Sequence, residues 1–225
     1  MEGSRAEETM CTMKRNVTIV FPVDIYRSRL LDAFNSWGGD LTFDLSKLIK
    51  FVVDRSQGCA TTIVLPRCIS TEDLIFVSDK CPSLKVVAVF DTYDGDVGCA
   101  ISDLLAKWKK LEVLKLDGCL NLDLVLIIDE IGLNCKNFVE LCVINTDINQ
   151  SAASAIVSNL STIKRLVLDR TNLEKVNLVL ILRGCKELEL LYVRDCVGFD
   201  KDDGEILMFA SEIKDFRCDG STAEI

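Results

Sequence analysis

Apolar residues in this chain recur in a single phrase, and the phrase repeats. It reads apolar-x-x-apolar-x-apolar-x-x-[Cys/Thr/Ser]. Six copies run from the middle of the chain to its end: Leu84-Val87-Val89-Thr92, Leu111-Leu114-Leu116-Cys119, Phe138-Leu141-Val143-Thr146, Ile163-Leu166-Leu168-Thr171, Leu188-Leu191-Val193-Cys196 and Ile213-Phe216-Cys218-Ser221. Their first slots are 25 to 27 residues apart, and a weaker copy, Ala60-Ile63-Leu65-Cys68, begins 24 residues before the first. Alternation within a phrase, as in Val113-Leu114-Lys115-Leu116, predicts a half-buried strand. A helical pattern follows each phrase: roughly Thr71–Lys80, Gly98–Trp108, Leu122–Asn134, Gln150–Asn159, Lys175–Arg183 and Asp202–Ala210. Spacing such as Ile101-Leu104-Leu105-Trp108 marks one buried stripe. Capping residues Ser70, Asp96, Asn121, Asn149 and Asp202 stand near the starts.

Strand plus helix at a fixed period of ~20–29 residues is the signature of a leucine-rich repeat solenoid. The expected architecture is α/β: a right-handed stack with a parallel sheet on the concave side and helices on the convex side. Residues 1–15 are polar and charged and are expected to be disordered. Residues 16–225 form the repeat domain, with about seven repeats after a divergent N-terminal capping repeat, 16–58. In that cap Asn16–Pro22 reads as a short strand and Asp24–Ser36 as a helix with Ile25, Leu30, Leu31 and Phe34 apolar. Trp37-Gly38-Gly39-Asp40 breaks it, and Phe43 and Leu45 lead into a helix over Leu48–Arg55. A solenoid works with a surface, so recognition is the first expectation and chemistry the second.

Composition narrows the choice. Hydrophobic residues make up 49% of 225, enough for a continuous core. The net charge of −9 argues against a nucleic-acid surface, which needs clustered Lys and Arg. The chain has no histidine, which excludes Ser-His-Asp and Cys-His catalysis and the usual His-containing zinc sites. Apolar runs such as Leu122–Ile128 fall short of the ~20 residues of a membrane span, so no membrane partner is expected. The densest acidic cluster, Asp200, Asp202, Asp203 and Glu205, sits where a helix start favours carboxylates. Gly38-Gly39 and Gly95-x-x-Gly98 lack the lysine of a phosphate loop. No catalytic residue, metal site or cofactor site is expected, and the chain reads as a non-enzyme.

Eleven cysteines would fit a disulfide framework, but the number is odd and Met1–Arg15 has no apolar core of a secretory leader. The repeat accounts for most of them. Cys68, Cys119 and Cys196 share the small slot after a strand, where the side chain is expected to bond backbone left open under the turn. Cys81, Cys135 and Cys185 share a slot three residues before the first apolar position, and Cys218 fills a strand slot. Free Cys behaves as a small buried hydrophobe. No Cys-x-x-Cys pair exists, so a reducing, cytoplasmic or nuclear compartment is expected.

The helix-end Cys with Leu three residues later (Cys81-Pro82-Ser83-Leu84, Cys185-Lys186-Glu187-Leu188), together with the Cys after the strand, resembles the cysteine-containing repeats of plant F-box/LRR-repeat proteins. The stretches Asp44–Arg55, Trp108–Cys119, Asn134–Leu141, Ala152–Leu160 and Leu178–Asp195 are similar to that family's repeats, and the resemblance covers about residues 16–221. It implies the substrate-recognition part of a Skp–cullin–F-box ubiquitin ligase. Of the F-box itself, only Val17–Pro22 resembles the tail and Phe21-Pro22-Val23-Asp24-Ile25 the opening, so the module is expected to be missing or truncated. A Skp-type adaptor is then a partner only if an F-box is present elsewhere. The alternative is a stand-alone scaffold or inhibitor that binds a target without recruiting a ligase.

Residues between the apolar strand slots point to the concave face, because side chains alternate along a strand. By that register the face carries Val86, Ala88, Phe90; Val113, Lys115, Asp117; Glu140, Cys142, Ile144; Arg165, Val167, Asp169; Leu190, Tyr192, Arg194; and Asp215, Arg217, Asp219. Tyr and Arg are favoured at binding hot spots. Phe90, Lys115, Arg165, Asp169, Tyr192, Arg194, Asp215 and Arg217 are therefore the candidate residues for a protein target. Phe90, Val113, Ile144 and Leu190 are expected to form an exposed apolar patch beside them. Thiol titration of the denatured protein, prepared without reductant, should return close to eleven free thiols. Several native disulfides would contradict both the packing role and the compartment.

Overall fold

A computed structural model describes residues 16–22, 24, 44–90, 96–119 and 121–223. The expected helix over Asp24–Ser36, the break at Trp37–Asp40, the tail 1–15 and the slot residue Thr92 lie outside the described residues. Strands and helices alternate: β1 (Val17–Val20), α1 (Leu45–Arg55), β2 (Ala60–Val64), α2 (Thr71–Lys80), β3 (Val86–Phe90), α3 (Asp96–Leu105), β4 (Val113–Asp117), α4 (Leu124–Asn134), β5 (Glu140–Ile144), α5 (Gln150–Asn159), β6 (Arg165–Val167), α6 (Lys175–Gly184), β7 (Leu190–Tyr192), α7 (Gly204–Ala210) and β8 (Asp215–Arg217). All eight strands join one sheet in chain order, and every neighbouring pair is parallel. Each helix packs on the helix of the next repeat. The protein is a leucine-rich repeat solenoid.

Register follows from burial. The central slots pair in one ladder, Ile63↔Val87↔Leu114↔Leu141↔Leu166↔Leu191↔Phe216. All of these except Phe216 are fully buried. Fully burying such a side chain contributes ~1.5–3 kcal/mol. The helices close the other side of the same core. On α4, Leu124, Ile127, Ile128 and Ile131 are buried, a spacing that lines one helical face. In the last repeat Ile213, Phe216 and Cys218 are only half-buried, since no described strand packs beyond them.

Local chemistry sets the helix ends. Ser70 and Asn149 accept backbone N–H bonds and start α2 and α5 where the sequence places them. Three other starts shift. The helix expected over Gly98–Trp108 runs from Asp96 to Leu105. Asn121 adopts φ 54, so it belongs to the turn, and Asp123 caps α4. Asp203, not Asp202, accepts from the amides of Glu205 and Ile206 and pairs with Lys175 at 2.8 Å, which accounts for part of the acidic cluster. Gly184 ends α6 where a Cβ would overlap the Val157 side chain of α5, so its lack of one allows the close approach.

Two ladders of small polar groups run beneath the turns. At the helix ends two of the three thiols donate to the carbonyl at the same position one repeat earlier, Cys135 Sγ to Trp108 at 3.6 Å and Cys185 Sγ to Leu160 at 3.9 Å, while Cys81 Sγ meets the Ser56 hydroxyl at 3.9 Å. Burial pushes the Cys135 and Cys185 thiols up to about 11, which keeps them protonated as donors. After the strands, Thr171 donates to the Leu168 carbonyl at 2.9 Å, Cys196 to the same carbonyl at 3.1 Å, and Ser221 to that of Val193 at 2.7 Å. Replacing Leu166 or Leu191 by Ala should cost ~2–5 kcal/mol in denaturant unfolding. A loss under ~1 kcal/mol at both would show that these slots are not core.

Candidate protein-binding face

The strand residues between the core slots form three rows on the sheet face turned away from the helices. The first row is Val86↔Val113↔Glu140↔Arg165↔Leu190↔Asp215, and the second is Ala88↔Lys115↔Cys142↔Val167↔Tyr192↔Arg217. The third continues with Phe90↔Asp117↔Ile144, and Asp169, Arg194 and Asp219 follow two positions on in the last strands. Arg165, Tyr192, Arg194 and Arg217 thus lie on adjacent strands but in all three rows, as an oblique patch.

Two contact groups organise the charged part. Glu140 is the hub of the first: Lys115 Nζ lies 3.1 Å from Oε1, and Arg165 Nε donates to Oε2 at 2.6 Å. Burial pushes the Glu140 carboxyl up, but the hydrogen bonds from Arg165 and Lys115 outweigh it and hold the carboxyl below its ordinary value. Tyr192 is the hub of the second. Its hydroxyl donates to Asp215, and the guanidinium carbons of Arg194 and Arg217 both sit 4.9 Å from its ring centre. Asp215 also accepts from Arg217 Nε at 3.0 Å. Its carboxyl is lowered by the hydrogen bonds from Tyr192 and Arg217, and the Tyr192 hydroxyl is raised by its bond to Asp215. Phe90 stands apart from both groups, on β3.

Asp169 departs from the expected exposed position. It is 5% exposed and anchors Arg194, accepting from its backbone N–H at 2.9 Å, its Nε at 3.0 Å and its terminal nitrogen. The apolar patch is also smaller than expected. Val113 is buried on this face, as are Ala88 and Cys142, while Phe90, Ile144 and Leu190 are half-buried. Packing by cross-strand neighbours closes over the short side chains. Burial pushes the Cys142 thiol up to about 11, well away from a reactive thiolate.

Arg170 is a member of the face that the strand alternation does not reveal. It follows Asp169 in a left-handed turn at φ 53, and its guanidinium lies 3.9 Å from Asp117, which accepts from Asn145 at 2.7 Å. The signal was in the repeat spacing. Gly118, Asn145, Arg170, Asp195 and Gly220 occupy one position, all with positive φ, and Gly is favoured there. A non-glycine at that position points its side chain along the sheet rim.

Among the described residues there is no group of three His, Cys, Asp or Glu placed to hold a metal ion, and no helix is long and apolar enough to cross a membrane. A depression of about 660 Å³ at the rim is lined by Asn121, Asp123, Asn145, Asp147 and Asn149, and Asp123 and Asn149 spend their side chains capping helices.

No protein-family model matches the chain. Individual proteins do. An F-box/LRR-repeat protein of Arabidopsis thaliana is 27% identical over 151 residues, 66% of this chain and 48% of that protein. F-box/LRR-repeat protein 23 of the same plant is 27% identical over 187 residues, covering 78% of this chain and 40% of its own length. The F-box protein SKIP1, also from Arabidopsis thaliana, is 21% identical over 206 residues, 82% of this chain and 67% of that protein. This chain is similar to these three plant proteins. It spans less than half the length of the first two.

The hub residue sets a pH dependence. A carboxyl held below its ordinary value of 4.5 stabilises the fold fully above that pH and loses the contribution as pH falls through the lowered value. The melting temperature of the wild type should therefore exceed that of Glu140→Gln above pH ~4.5, with the gap closing below it. A gap independent of pH, read by thermal melts across that range, would show that the Lys115–Glu140–Arg165 group does not depend on charge.

Proposed function

We propose that this chain is a non-enzymatic protein-binding module that captures a protein target on the concave face of its sheet. The observation that carries the proposal is the Tyr192 group: an aromatic ring on a central strand of the C-terminal repeats, flanked by two guanidiniums that carboxylates hold in place. Tyr and Arg side chains fixed on strands lose little entropy when a partner covers them. The exposed ion pairs add little stability, ~0–1 kcal/mol each. Their main effect is to orient the cations.

Resemblance to proteins named F-box/LRR-repeat proteins supports a more specific reading, the substrate-recognition part of a Skp–cullin–F-box ubiquitin ligase. Of the stretch between Phe34 and Phe51, where the second and third helices of an F-box would fall, residues 34–43 lie outside the described part of the chain. Buried thiols used as packing and hydrogen-bonding groups fit action in a reducing compartment, the cytoplasm or nucleus.

Affinity capture with the full chain should identify the target, and Tyr192→Ala combined with Arg217→Ala should weaken its binding by ~2 kcal/mol or more. Arg194 is a poorer choice, because removing it would leave the buried Asp169 carboxylate with only a backbone partner. The same double variant should shift stability by under ~0.5 kcal/mol per site. Unchanged affinity with unchanged melting would exclude this face as the binding site. Capture of a Skp-type adaptor by the full chain tests the ligase reading separately. Failure to hold it would leave a stand-alone scaffold that binds its target without ligase recruitment.

A further inference from the structure

The chain as a whole is acidic, yet the C-terminal part of its sheet face meets solvent with cations. In three ion pairs the carboxylate lies deep and the cation above it. By side chain alone, Asp169 is 7% exposed under Arg194 at 40%, Glu140 is 14% under Arg165 at 41%, and Asp117 is 23% under Arg170 at 54%. The carboxylates neutralise the fold, but the groups an incoming molecule touches are guanidiniums. Arg165 of this set and Arg217 beside it keep donors in reserve. Arg165 and Arg217 each bond a carboxylate through Nε alone, so their terminal nitrogens donate to nothing among the described residues. Guanidinium carries five N–H donors in a planar fork that matches a carboxylate.

The layout limits where an acidic group can land. Arg165 is on β6 and Arg217 on β8, two strand steps across and one row along, or about 12 Å apart, with Tyr192 on the strand between them. Half-buried Val167 and Leu190 fill the ground beside the ring. Asp215 is an exposed carboxylate within the patch, already engaged by the Tyr192 hydroxyl and Arg217 Nε. The others nearby stand at the margins. Asp195 and Asp219 lie past the strand ends, and Glu189 is paired with Lys214 at 3.3 Å before the strands begin. Repulsion at both margins leaves the central cations as the favourable seat for negative charge.

We infer that the segment of the protein target seated on β6–β8 is an acidic peptide whose carboxylates reach Arg165 and Arg217 across Tyr192. This rests on the protein-binding reading above and adds the chemistry of the partner to it. The aromatic ring supplies contact area, and the two forks select charge.

An array of immobilised peptides of one length and one apolar content, with net charge stepped from basic to acidic, tests this against the full chain in physiological salt. A polyuridylate RNA spot serves as the non-peptide polyanion. Retention should be confined to acidic peptides and fall as salt is added. It should drop about tenfold or more in the Arg165→Gln, Arg217→Gln variant, whose melting should fall no further than that of Glu140→Gln. Equal retention at all charges overturns the inference. So does acidic retention that survives that variant, or RNA held as tightly as the acidic peptides. Neutral or basic peptides retained by the wild type and released by Tyr192→Ala would overturn the acidic partner while leaving the protein-binding face standing. Retention of no peptide overturns it too, and the face is then judged by the captured target alone.

Discussion

One constraint underlies this molecule: a single strand–helix unit cannot bury its own apolar slots. Leu166 and Leu191 are fully buried only because the units before and after supply the other walls of their pockets. The requirement locks the register of each strand against its neighbour. A slip by one residue would turn Leu166 to solvent and Arg165 into the core. Parallel order, the sequential sheet and the helix-on-helix stack all follow from satisfying that burial along the chain. Where no described unit follows, at Ile213 and Phe216, burial falls to half.

A stack this tight leaves backbone carbonyls under each turn, and the protein satisfies them with the smallest available donors. Cys135, Cys185, Thr171, Cys196 and Ser221 each donate to a carbonyl, most of them in the preceding repeat. A larger polar side chain would force the repeats apart, and an apolar one would leave the carbonyls unpaired. Cys135, Cys185 and Cys196 are thereby explained by packing and hydrogen bonding. The left-handed turn that closes each strand tolerates Gly118 and Gly220 easily. At Arg170 it carries a strained residue, roughly a 1 kcal/mol cost. That residue joins the cationic patch, which is where strain of this kind is commonly found.

On the open side of the sheet the same register sorts charges by depth. Short carboxylates root in the rows, and the longer arginines lie over them and over the Tyr192 ring. The result is a face whose charges nearly cancel in number while Arg165, Arg170 and Arg194 stand further out than the carboxylates they pair with. Rigid strands carry it, and hydrogen bonds within the face set its side chains before any partner arrives. A preordered surface of that kind suits recognition far better than catalysis.

The repeat phrase alone determined the architecture. Apolar slots at 25 to 27 residues can be buried together only by stacking, so strands at Val87, Leu114, Leu141, Leu166, Leu191 and Phe216 and the helices between them were readable from spacing. Caps were readable at Ser70 and Asn149, and misplaced at Asn121, which sits in the turn two residues before the cap Asp123. The alternation also named which residues share the open face. What the sequence could not show is how deep each of them sits. Asp169 and Arg194 are both polar strand-end residues, yet one is buried and the other half-exposed. Val113, expected in an exposed patch, is covered, and Arg170 enters the face from a turn. Each of these outcomes depends on side chains about 25 residues away in the chain but one strand away in space. Local pattern carries no record of such neighbours, so only the tertiary structure decided them.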